Sequence, residues 1–336
     1  MKIAVVGTSL ITEKFIDAAR MCNGIEVAAV CSRTKEKAAM FGDKFDIPLR
    51  FTDLNELAGS PVIDAVYVAS PNSFHCEQSV LMMQSGKHVF CEKPIAVSAD
   101  EFSRMLNVAS DAGVVLLEAS KHIFSPGIKT IQSTLPEIGS VRRAAFEFNQ
   151  YSSRYDRLKQ GEDSNIFSKE LAGGALYDLG VYCVQLMVAL WGKPASVVGS
   201  SYILRTGVDG LGSAIVDYDG FIVELSYSKI TESATPSVIQ GENGSIVFDN
   251  LSRIEKIDVI KRKSYSALDN LSRSEEKDAA AREKGRRQID CNAVENQMVY
   301  ETQAFIDMVK SPEKAKPYNE ISMISLEIMD TLKKWN

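Results

Sequence analysis

Asp178 and Tyr182 stand four residues apart inside a long apolar run that ends at Leu190-Trp191-Gly192. On a helix this spacing sets a carboxylate and a phenol on one face. A buried helix carries such a pair either for core hydrogen bonds or for chemistry. The chemistry would be proton transfer to or from a reacting hydroxyl. Free tyrosine titrates near about 10, so it is a poor base at neutral pH. A nearby ammonium favours the phenolate and is expected to lower that pKa. Lys93 is the candidate, because the strand-like run HVFCE (88–92) leads directly into it. Pro94 disfavours helical geometry at Lys93 and should hold it extended. Asp178 would then hydrogen-bond substrate or hold Lys93 in place.

The elements that must position these groups follow from periodicity. Over the first 120 residues, strand-like runs (KIAVV, IEVAAVC, DAVYVAS, HVFCE, VVLLEAS) alternate with segments of helical spacing. That alternation predicts a doubly wound parallel sheet, the Rossmann type of α/β domain. Beyond residue 120 the pattern changes. VRRAAFEFNQY (141–151) is partly alternating, and hairpins are predicted around Asp219-Gly220 and Asn243-Gly244. A second α/β domain with an open, mostly antiparallel sheet is the economical reading. Helices are expected over 175–191, 294–310 and 319–334, the last folding back onto the first domain. The division is therefore 1–120, a cofactor-type domain, and 121–336, a second domain whose open sheet face needs covering. Residues 264–290 are rich in mixed charge and read as a solvated loop or surface helix.

Ligands in such a sheet sit beyond the carboxyl ends of the strands. The first turn, Gly7-Thr8-Ser9-Leu10-Ile11, keeps one glycine of the G-x-G-x-x-G pattern; Ser9 and Thr12 fill the other two places. The amides and dipole of the following helix favour a phosphate there. The second strand ends in Cys31-Ser32-Arg33, with no acid to hold ribose hydroxyls. Ser32 and Arg33 suit a 2′-phosphate, so NADP(H) is expected in preference to NAD(H). Ser70-Pro71-Asn72 and His75 follow another strand and are candidates for the nicotinamide side, as are Glu92 and Lys93. Tyr151 and Asn165 are candidate substrate contacts. His122 reads as a structural histidine and Gln185 as a packing residue.

Bulk properties narrow the function classes. The 336 residues are enough for about two domains. A net charge of −6 gives no general reason to expect nucleic acid or an anionic membrane as partner. No apolar run is long enough to span a membrane. Six scattered cysteines and three scattered histidines predict neither a metal site nor a disulfide framework. A cytoplasmic protein with reduced thiols is the expectation.

GKHVFCEKPIAVSADE, SPNSFH and GGALYDLGVY, in this layout, resemble the Gfo/Idh/MocA oxidoreductase family over essentially the whole chain. The resemblance implies NAD(P)-dependent oxidation or reduction of a carbinol–carbonyl centre on a sugar, cyclitol or diol. It aligns Lys93 with the family's E-K-P lysine and Asp178 with its helix aspartate. Tyr182 falls where many members have a catalytic histidine; the DLGVYCVQL run looks most like the dihydrodiol and D-xylose dehydrogenase branch, which uses tyrosine. A homodimer or higher homo-oligomer is implied. Ser9 departs from the family's glycine fingerprint, and the segment after 250 is less like the mammalian dihydrodiol enzymes. The competing expectations are a nonenzymatic NADP(H)-binding sensor and an NAD-retaining glycoside hydrolase on the same fold.

Overall fold

The structure is a computed structural model that describes residues 1–262 and 285–334. Its first sheet is parallel and six-stranded, in the order β3-β2-β1-β4-β5-β6. The strands are β1 (Lys2–Val6), β2 (Glu26–Cys31), β3 (Leu49–Phe51), β4 (Ala65–Val68), β5 (His88–Glu92) and β6 (Leu116–Ala119). Helices α1 (Leu10–Met21), α2 (Lys35–Phe45), α3 (Leu54–Ala58), α4 (His75–Gln84) and α5 (Ala99–Ala112) connect them. Strands covered on both faces read as continuous apolar runs, and β4 and β6 are buried at every residue. The order reverses between β1 and β4, which opens a crevice at their carboxyl ends.

Two short helices, α6 (Lys121–Phe124) and α7 (Pro126–Thr134), lead to the second sheet. It has eight strands in the order β14-β13-β12-β11-β7-β10-β9-β8. They are β7 (Val141–Asn149), β8 (Ser196–Ile203), β9 (Asp209–Tyr218), β10 (Phe221–Ser228), β11 (Ser237–Gly241), β12 (Gly244–Phe248), β13 (Lys256–Lys261) and β14 (Arg286–Asp290). The pairings are antiparallel except β7 with β10. β9 and β10 turn at Asp219-Gly220 as expected; the second hairpin turns one residue earlier than expected, because Gly244 already pairs with Gly241. Of the charged segment 264–290, residues 286–290 form the exposed edge strand β14; residues 263–284 lie outside the described residues.

Helix α8 (Ser153–Lys159) follows β7, and α9 (Val181–Trp191) lies between β7 and β8 in sequence. α9 is preceded by a π turn, Leu176–Gly180, so the helix expected over 175–191 is not uniform. Such turns occur often at functional sites. The final helices are α10 (Met298–Lys310) and α11 (Lys316–Lys333). α11 does return to the first sheet's layer: Asp330 accepts the Ala99 amide at 2.8 Å, and Asn319 donates to the Leu116 carbonyl at 3.1 Å. Lys333 reaches both the Val97 carbonyl, at 2.7 Å, and the Tyr177 hydroxyl, at 2.9 Å. This helix ties the site-bearing segment to the parallel sheet.

Candidate active site

Gly7, Ser32, Ser70 and Lys93 stand just beyond the carboxyl ends of β1, β2, β4 and β5. These are four adjacent strands, so the row spans about 15 Å at about 4.8 Å per strand. Gly7 has φ +107°, and a Cβ there would run into the Ala69 carbonyl. Glycine is therefore required for β1 to turn this tightly against the end of β4. Ser9 precedes α1 without capping it, so the side chain leaves the first amides of that helix open. Leu10 is 76% exposed in the same turn. Ser70 Oγ is buried with no hydrogen-bond partner among the described residues. Arg33 is exposed and makes no ion pair with any described residue, whereas the acid Asp53 caps α3 through the amides of Asn55 and Glu56. Open amides, an orphaned hydroxyl and a free guanidinium fit a 2′-phosphorylated dinucleotide.

Lys93 crosses from this edge to the π turn. Its ammonium donates to the Asp178 carbonyl at 2.8 Å and to Asp178 Oδ1 at 3.3 Å. It also lies over the Tyr182 ring, 4.6 Å from the centroid. The Lys93–Pro94 bond is cis. Asp178 Oδ2 is held by Lys229, which follows β10. Burial works against the Asp178 carboxylate, but Lys93 and Lys229 outweigh it and bring its pKa down to about 2. Burial likewise disfavours the Lys93 charge, yet Tyr182, Asp178 and Glu92 raise its pKa overall.

The seat of the helix is built locally. Gly174 has φ +117°, and the Asp209 carboxylate occupies the place its Cβ would need. Asp209 Oδ2 thereby accepts the Leu176 amide at 2.7 Å. The Tyr182 ring is packed between His122, with centroids 4.7 Å apart, and Phe148, edge-on at 5.3 Å. His122 is fully buried without a well-formed hydrogen bond from either ring nitrogen; its weak contact with the Tyr182 backbone does not offset burial. Burial, then Lys121 and Lys93, depress its pKa to about 3, so the ring is neutral.

One expectation is corrected here. Lys93 does pull the Tyr182 pKa down, but burial is the larger effect, and Glu92, Asp178 and Glu301 add to it. The result is a pKa pushed up to about 12, so Tyr182 rests as a phenol rather than a phenolate.

The structure brings Lys93, Asp178 and Tyr182 together and separates other candidates from them. His75 is turned inward, its ring nitrogens 2.8 Å from both the Pro94 and Ser70 carbonyls. It staples two loops and its ring is not free for a cofactor. The Glu92 carboxylate is also buried, accepting from the Tyr67 hydroxyl and, at 3.2 Å, from the Lys93 amide. Asn72 donates to the Ala172 carbonyl at 2.8 Å, joining the strand-end loop to the segment before the π turn. Tyr151 is half-exposed and engaged with Asp156 and Lys159, and Asn165 is exposed; neither contacts the cluster among the described residues. Gln185 accepts from Ser120 in the core, as its packing role requires. Lys229 escaped the sequence reading; only its nearly complete burial as a cation sets it apart.

Residues 1–120 match the family model described as an oxidoreductase family with NAD-binding Rossmann fold, and residues 136–247 match the GFO/IDH/MocA C-terminal domain. The scyllo-inositol 2-dehydrogenase (NADP(+)) IolU of Bacillus subtilis (strain 168) is 39% identical over 336 residues, covering 99% of this chain and 96% of the relative. The D-xylose 1-dehydrogenase (NADP(+)) 2 of Haloferax volcanii is 31% identical over 221 residues, 65% of this chain and 66% of the relative. Among solved structures, KijD10, a 3-ketoreductase from Actinomadura kijaniata in complex with NADP and TDP-benzene, has the same fold. It superposes with a TM-score of 0.85 at 21% identity, covering 99% of this chain and 97% of its own. With full-length similarity, matching models for both sheets and the lysine and aspartate side by side, the chain belongs to the Gfo/Idh/MocA family of oxidoreductases.

Proposed function

We infer that the chain catalyses reversible hydride transfer between NADP(H) and a carbinol or carbonyl carbon of a small polyhydroxylated substrate. The observation that carries this reading is the meeting of the Lys93 ammonium with Asp178 and Tyr182 at the end of a cofactor-type sheet. Relatives named for scyllo-inositol, D-xylose and a trans-dihydrodiol support a cyclitol, sugar or diol as substrate.

The nicotinamide accepts or supplies the hydride when bound. Gly7, Thr8, Ser9, Leu10 and Ile11 would hold its pyrophosphate at the start of α1, and Ser32 with Arg33 the 2′-phosphate. Ser70, Pro71 and Asn72 would flank the nicotinamide half. In the reductive direction Tyr182, protonated at rest, donates its proton to the forming alkoxide. In the oxidative direction its phenolate accepts the hydroxyl proton, with Lys93 stabilising the charge. Asp178 fixes Lys93, and its partly exposed side chain would also meet substrate. Tyr151 would border the approach, since the amide of the next residue, Ser152, bonds the Lys229 carbonyl at 2.9 Å; Asn165 would contact substrate from the turn before Gly173-Gly174.

Residues 121–336 would carry substrate binding and self-association. One face of the second sheet presents Val198, Tyr202, Ile215 and Ile222, between 40% and 58% exposed. A second copy would cover that apolar face, and light scattering on the eluting protein gives the mass that decides it. The six cysteines are unpaired and buried, which supports a reducing, cytoplasmic setting.

The test of function is nicotinamide absorbance on a panel of scyllo-inositol, D-xylose and trans-1,2-dihydrobenzene-1,2-diol, with NADP⁺ and with NAD⁺. Turnover with at least one polyol and preference for NADP⁺ is expected. Cofactor binding with no turnover across cyclitols, aldoses and diols would overturn the reading.

A further inference from the structure

Lys229 is a buried cation in direct contact with Asp178 that the mechanism above does not use. It is 7% exposed and paired with Asp178 Oδ2. Its backbone is pinned on both sides: the amide donates to the Gly210 carbonyl at 2.9 Å, and the carbonyl accepts the Ser152 amide at 2.9 Å. The backbone is thus fixed at the end of β10 between two neighbouring segments, and the buried side chain runs from there to Asp178. One carboxylate thus lies between two ammonium groups. Burying the second cation costs desolvation that a structural pair does not repay easily, whereas one carboxylate shared by two lysines leaves a net positive charge beside the phenol.

We propose that Lys229 is a positioning residue of the acid/base site: by engaging one oxygen of Asp178, it keeps the Lys93 ammonium available to the Tyr182 hydroxyl. This rests on Tyr182 being the acid/base group. Among the described residues, the other charged or titratable groups facing this assembly are Glu92 at the end of β5, Lys121 and His122 on α6, Glu301 on α10, and Asp209, whose charge Lys229 also favours. None of them contacts Asp178 Oδ2; Lys229 does. Without Lys229, the unshared Asp178 charge falls on Lys93 alone and opposes the phenolate.

The test is the pH dependence of polyol oxidation by the intact enzyme with NADP⁺. In Lys229→Gln the rising limb of kcat, which follows Tyr182 ionisation, should move up by about one pH unit, with KM changed far less, and Lys229→Arg should restore it. In Asp178→Asn the limb should move down, and adding Lys229→Gln to that variant should then move it far less than in wild type, because the effect runs through Asp178. In the cofactor-free protein, the phenolate absorbance lost on adding Tyr182→Phe reads the same titration without turnover; its onset in Lys229→Gln should come at higher pH than in wild type, and an unmoved or earlier onset contradicts the proposal. An unmoved limb with a raised KM, or an equal shift in the Asp178→Asn background, overturns the proposal. If Lys229→Gln does not fold, the Arg variant and the Asp178→Asn shift still decide it, since an Arg variant with a displaced limb or an Asn variant with an unmoved one contradicts it. Loss of turnover in Tyr182→Phe beside an unmoved limb in Lys229→Gln defeats the Lys229 role alone. Normal turnover in Tyr182→Phe defeats the acid/base reading and this inference with it.

Discussion

The cofactor edge and the Tyr182 pocket treat charge in opposite ways. At the ends of β1 and β2 no side chain caps the first amides of α1, and the Arg33 guanidinium is exposed and without an ion pair among the described residues. Around Tyr182 the reverse holds: Lys93 and Lys229 are both paired with Asp178, and the phenol is walled by His122 and Phe148. An open edge suits a charged ligand that brings its own partners and must come and go. A packed pocket suits a proton transfer whose charges must be stabilised without solvent rearrangement. On the proposed function, the first region binds the cofactor and the second holds the geometry of proton transfer.

That contrast breaks most visibly at Lys93, which joins the two. Lys93→Met should reduce turnover by at least about 10²-fold, the lower range for losing assisted proton transfer; steady-state rates at saturating NADP⁺ check this. Arg33→Ala should act on the open side only. Losing charge-assisted bonds to a phosphate should weaken NADPH by about 10–100-fold, while NADH affinity barely moves; fluorescence titration of both cofactors reads it, and equal losses would reject the 2′-phosphate contact. The smallest effect is on stability. His122 is neutral when folded, with a pKa near 3, below the ordinary 6.5. Between those values the unfolded chain binds the proton and the folded one does not, so stability falls as pH drops from 6.5 towards 3. His122→Phe should flatten that part of the Tm profile, and an unchanged slope would contradict it.

The open side was more legible than the packed one. Strand ends follow from apolar runs and turn residues, so Gly7, Ser32, Arg33 and Lys93 could be placed on one sheet edge from order alone. The pair Asp178 and Tyr182 was legible because both lie in one helical segment. Lys229 was not, because it is 51 residues from Asp178 and only the parallel pairing of β10 with β7 brings that strand end to the helix. The direction of the Tyr182 pKa was misjudged for a related reason. Lys93 was visible as a neighbour, but the burial that outweighs it comes from packing against distant segments, including His122 and Phe148. The strands β8, β13 and β14 also escaped notice; β8 and β14 are exposed edges whose residues carry too little apolar alternation to announce themselves.

The central claim is that Tyr182 moves the proton, and Tyr182→Phe tests it most directly. Removing one hydroxyl leaves the ring packing intact. Turnover on the polyol that wild type oxidises should fall by about 10²–10⁴-fold, with the NADPH dissociation constant unchanged. Near-normal turnover would contradict the account.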